Sequence, residues 1–210
     1  MSGPSLVELI AEADERGLAA SGLACLDRCV PLLGGGDEVL RPLWRSLAED
    51  GAWDTALAEA RVELGGSDVL EESSGTFTGA LTGKSAGRSP GNEAVVLVYR
   101  MLGAAPSARS TAELREWADA CSVAALQIHR LLDTAPDGGP RSASLRARRA
   151  GRTEDISPLV AAELRRQIRI LELLADRSTG AGGLRQALDV STEGRRVLRA
   201  VVSRRERGRV

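Results

Sequence analysis

Aromatic residues are almost absent from this chain. Trp44, Trp53, Trp117, Tyr99 and Phe77 are the whole set, 2% of 210 residues. That scarcity argues against a nucleic-acid reader that stacks bases on aromatic platforms. It argues equally against an all-β fold, whose strands favour aromatic and β-branched residues. Long apolar runs are missing too: none approaches the ~18 residues of a membrane span. Pro4-Ser5-Leu6-Val7-Glu8 lacks the basic start and apolar stretch of a signal peptide, so a cytoplasmic location is the expectation. Three cysteines make no even disulfide set, in keeping with a reducing compartment.

What is present is ordinary globular material, 43% apolar and 27% charged. It fits one domain over residues 1–210, long enough to bury a core. The net charge of −1 hides an asymmetry. Residues 1–65 carry 12 acids and 5 bases, whereas residues 141–210 carry 8 acids and 17 arginines. An acidic front and a basic tail attract each other or a partner. Arginine outnumbers lysine 27 to 1, which reflects a GC-rich genome more than a function.

Apolar residues recur at helical spacing and strand alternation is nearly absent, which predicts an all-α fold, an irregular bundle of seven or eight helices. Ser5-Leu6-Val7-Glu8 reads as a capping box opening the first helix, with Gly17 as its stop. Further helices are expected over 19–33, 37–49 and 53–65. After these come Ala94 to Leu102, a long helix from Ser110-Thr111-Ala112-Glu113 to about 134, then 158–176 and 184–206. In the helix 158–176, Ala161, Leu164, Ile168, Leu171 and Ala175 space like a coiled-coil seam. Residues 66–91, rich in Gly, Ser and Thr, and residues 136–156, rich in Arg, Gly and Pro, read as two flexible loops.

Motifs that resemble chemistry fail on context. Gly79-Ala80-Leu81-Thr82-Gly83-Lys84-Ser85 is one residue short of a phosphate-binding P-loop and has no strand leading in. Gly87-Arg88-Ser89-Pro90-Gly91 matches a hydrolase nucleophile elbow, but that geometry needs a strand before the serine. Cys25, Cys29, Cys121 and His129 match a Cys3His zinc site in number but not in spacing; small core residues explain the cysteines. No paired-carboxylate constellation stands out. The sequence therefore assigns no catalytic, cofactor-binding or metal residue, and no cofactor.

The stretches Leu23-Ala24-Cys25-Leu26-Asp27-Arg28-Cys29, Glu163-Leu164-Arg165-Arg166-Gln167-Ile168-Arg169-Ile170-Leu171-Glu172-Leu173-Leu174-Ala175 and Ser191-Thr192-Glu193-Gly194-Arg195-Arg196-Val197-Leu198 resemble small uncharacterised helical proteins of actinobacteria. One such type is encoded beside a glucokinase gene. The resemblance implies an accessory or regulatory role near sugar metabolism and carries no functional residue with it.

The expected function is that of a non-catalytic helical protein-interaction or regulatory protein, with another protein as partner and a homodimer as one arrangement. Arg195, Arg199 and Arg205 are the candidate partner-binding residues, offered by a C-terminal helix whose Val197, Leu198, Val201 and Val202 dock on the bundle. Two alternatives remain. The basic helix serves a nucleic-acid-associated regulator, though it lacks the Asn/Gln-with-Arg set useful for base reading. Otherwise the bundle holds a ligand in a pocket lined by Cys25, Cys29, Cys121 and His129.

Overall fold

The computed structural model describes residues 3–49, 51–65, 89–133, 141–152, 156–176 and 181–207. Among them every regular element is helical: α1 Leu6–Glu12, α2 Glu15–Cys29, α3 Arg41–Glu49, α4 Trp53–Leu64, α5 Pro90–Gly103, α6 Thr111–Leu132, α7 Arg141–Arg149, α8 Pro158–Ala175 and α9 Ala181–Arg207, with a 3-10 turn at Val30–Leu33. The all-α expectation holds.

Local chemistry sets most helix starts. The Ser5 N–H donates to Glu8 Oε2 at 2.7 Å and the Glu8 N–H donates back to Ser5 Oγ, completing the capping box. Asp14 caps α2 by accepting from the Gly17 N–H at 2.8 Å. Gly17 is thus in the first turn of α2 and not the stop of α1: an Asp cap at a helix N-terminus outweighs the glycine signal. Ser89 likewise accepts from the Asn92 N–H, with Pro90 as the first residue of α5. Ser89 is therefore a helix cap, and the elbow-like motif ends in a helix start. The P-loop-like segment 79–85, and residues 66–88 as a whole, lie outside the described residues. The second expected loop is corrected in part. Within 136–156, Arg141–Arg149 is helix α7, which buries Leu145, Arg148 and Arg149. Its composition reads as loop because the arginines that hold it are polar; Arg149 pairs with Asp119 of α6.

Helix α2 is buried on every side from Gly17 to Cys29. It packs along α6 and α9, with further contacts to α8, α3 and α5. Its small residues let these neighbours approach. A Cβ at Gly22 would meet Trp117 Cζ3 of α6 at 2.5 Å, so the indole sits directly on the glycine. The three tryptophans are core residues, and Trp53 and Trp117 meet edge-on with centroids 6.1 Å apart.

The inward face of α8 is rotated from the expected seam. Val160, Glu163, Leu164, Gln167, Ile170, Leu171 and Leu173 are buried, whereas Ile168 is partly buried and Ala175 exposed. Two polar residues thus point into the core. Leu171, 2% exposed, remains a sound probe of that packing. Leu171→Ala is expected to cost roughly 2–5 kcal/mol in urea denaturation, through lost transfer energy plus the cavity left behind; a cost under about 1 kcal/mol would remove α8 from the core.

Candidate functional site

The centre of the bundle holds a network of charged and polar side chains with no water-facing member. Arg28 of α2 is fully buried and pairs with the equally buried Glu163 of α8. Its Nε donates to Glu163 Oε2 at 2.9 Å and its Nη2 to Oε1 at 2.6 Å, a two-pronged contact. Gln167, one turn on, donates to Glu163 Oε1 at 2.8 Å, and Ser122 Oγ of α6 donates to Gln167 Oε1 at 2.7 Å. His129 of α6 is bound through Nδ1 to the Ala125 carbonyl at 2.7 Å, and its Nε2 stands 3.5 Å from Glu163 Oε2. Three helices therefore meet at one carboxylate.

The electrostatics follow from burial against pairing. Burial pushes Glu163 up, but the Arg28 guanidinium and then His129 overcome it and hold the carboxyl at about 2. Burial pulls Arg28 down, and Glu163 more than restores it. For His129 burial wins: its pKa is lowered despite Glu163, with Arg28 and Arg166 adding to the loss.

A second network joins α2 to α9. Arg195 Nη1 donates to Asp27 Oδ1 at 2.6 Å, and Ser191 Oγ to Asp27 Oδ2 at 2.8 Å. Burial nevertheless raises the Asp27 pKa, outweighing Arg195. At the surface, Asp37 takes Arg199 Nη2 at 2.6 Å and lies 3.4 Å from Arg195 Nε. Arg199 lowers the Asp37 pKa most.

The arginines singled out from sequence are thus placed as follows. Arg195 is 6% exposed and turned inward on Asp27, which corrects its assignment to an outward face. Arg199 is on the surface but engaged by Asp37, and Arg205 Nη1 donates to the Leu131 carbonyl at 2.9 Å. The acidic front and basic tail attract each other within the chain. Of the expected docking face, Leu198 is buried and Val201 and Val202 pack partly buried against the core, whereas Val197 is partly exposed and outside that cluster.

Cys25, Cys29 and Cys121 are free thiols in the core. Burial pushes Cys25 up to about 12 and Cys29 and Cys121 well above their ordinary value, so none is a thiolate at neutral pH. His129 faces Glu163, and among the described residues no cluster of His, Cys, Asp and Glu is arranged to hold a metal ion. Sequence reasoning missed Glu163, Gln167 and Arg28. A signal was there: within the small and apolar run Leu18–Leu33, only Asp27 and Arg28 are charged.

These features define an all-helical bundle with ion pairs sealed at its centre, and no helix among the described residues is long and apolar enough to cross a membrane. No family model, no curated protein and no solved structure matches the chain.

Proposed function

We propose that this is a non-catalytic interaction or regulatory protein that meets an acidic protein surface through solvent-facing arginines of α9. The observation that carries this reading is the division of the arginines along that helix. Arg195 is inward and Arg199 engaged, whereas Arg196, Arg204 and Arg207 are exposed and in no salt bridge among the described residues. At about 100° per residue, positions 196, 204 and 207 fall within a quarter turn of one another. A guanidinium pairs with carboxylates through two parallel N–H bonds and stays charged. The titratable groups most suited to catalysis are instead core residues, with raised thiol pKa values and a carboxylate held by Arg28. That favours recognition over chemistry.

The test is a triple charge reversal, Arg196→Glu, Arg204→Glu and Arg207→Glu, followed by capture from native lysate and by titration with a short DNA duplex. The expected result is salt-sensitive loss of an acidic partner, with stability changed by no more than about 0.5 kcal/mol per site, as for exposed positions. Equal capture by both proteins would overturn the reading. DNA binding with steep salt dependence, abolished in the variant, would replace it with a nucleic-acid role. Replacing Arg195 would confuse the test, because it leaves Asp27 buried without its cation, with the Ser191 hydroxyl still donating to it.

A further inference from the structure

We propose that the seam between α2, α8 and α9 is a binding site for a small oxyanion, with Arg28 at its floor, Arg166 at its rim and Gly194 in the wall beside both. The two arginine stems run side by side over that glycine. A Cβ there would lie 3.0 Å from Arg166 Cδ and 3.0 Å from Arg28 Cγ, and would collide with Arg28 Cδ. The stems have this place because residue 194 has no side chain.

Two donors in this seam have no acceptor among the described residues. Arg28 spends Nε and Nη2 on Glu163, and its Nη1 is buried without a partner. Arg166 Nη1 is also sealed from solvent and without a partner, although the residue as a whole is partly exposed. A buried guanidinium N–H without an acceptor is costly, since the hydration it gave up is not replaced. The local charge also does not close. Glu163 balances Arg28, His129 with its lowered pKa is neutral at pH 7, and among the described residues no carboxylate is paired with Arg166. A tetrahedral oxyanion supplies what is missing: one negative charge or two, and several acceptor oxygens within reach of neighbouring guanidinium groups. Arg166, partly exposed where Arg28 is fully buried, is the member of the pair nearer to solvent.

The site is independent of the arginines proposed above for partner binding, so the two ideas fail separately. The experiment measures binding of sodium sulfate, inorganic phosphate and glycerol phosphate by calorimetry, with sodium chloride at matched ionic strength as the reference. Wild type is expected to bind one sulfate or phosphate saturably, while Arg166→Gln loses about tenfold or more in affinity, the size of one charge-assisted hydrogen bond. Arg185→Gln, an exposed control elsewhere on α9, is expected to bind as wild type does. Preference for glycerol phosphate over the free ions would identify a phosphoryl group carried on a larger molecule; preference for the free ions, an inorganic ligand. His129 is the single histidine, so its ring resonances report on this neighbourhood without ambiguity. They are expected to shift saturably with sulfate in wild type, a measurement that stands even if Arg166→Gln does not fold. No saturable binding beyond chloride, equal affinity in Arg166→Gln, or an unmoved His129 ring would overturn the proposal.

Discussion

Arg28→Ala is expected to cost about 3–5 kcal/mol, because it leaves Glu163 ionised, fully buried and without its cation. Gln167 still donates to that carboxylate, and His129 stands 3.5 Å away, but neither replaces a two-pronged guanidinium. The double variant Arg28→Met with Glu163→Leu is expected to recover most of the loss, since it removes both desolvation penalties at once. The contrast between single and double variants separates a cost of broken pairing from a cost of lost volume. If both were equally unstable, packing by the Arg28 stem would be the larger effect.

The same pair predicts how stability depends on acid. Glu163 ordinarily titrates near 4.5 and is held at about 2 in the folded chain. Its contribution is therefore fully present above about 4.5 and is lost as pH falls toward 2. His129, lowered from 6.5 chiefly by burial, acts in the same direction: below 6.5 the unfolded chain takes the proton first, and folding weakens. Asp27 acts oppositely. Its pKa is raised in the fold, so its contribution is greatest below 3.8 and declines as pH rises through the folded value, which softens the acid loss. Urea denaturation between pH 3 and 8 is expected to show stability falling on the acid side, more shallowly in the double variant. An identical slope in both proteins would exclude Glu163 as a main source.

Trp117→Ala is expected to be nearly as damaging, at roughly 3–5 kcal/mol. The indole fills the space over Gly22, meets Trp53 edge-on, and donates from Nε1 to the Met101 carbonyl at 2.9 Å. Its removal opens a cavity between α2 and α6 and leaves that carbonyl without its donor. Guanidinium titration followed by far-UV circular dichroism measures the cost without relying on tryptophan emission. A loss near 1 kcal/mol would mean that the α2–α6 contact closes over the gap.

Much of the fold was legible along the chain. Ser5 with Glu8, Ser110 with Glu113 and Pro158 mark helix starts that the structure keeps, because a cap is satisfied by residues three positions away. The apolar spacing of Leu114, Trp117, Cys121 and Ile128 placed α6 in the core for the same reason of short range. Helix α7 was not legible, since the acid that takes its buried Arg149 is Asp119, 30 residues back.

The charged centre belongs wholly to tertiary structure. Glu163 and Gln167 are polar positions on an amphipathic helix, where the spacing pattern assigns such residues to the outside. Arg28 lies 135 residues from Glu163, and Arg195 lies 168 residues from Asp27. The sequence by itself determined that the chain is helical, where most helices begin, and that its two ends carry opposite charge. Only the packing of α2 against α6, α8 and α9 decided which of those charges met inside. A buried ion pair is stable solely when geometry brings both partners together, and no local rule encodes that meeting.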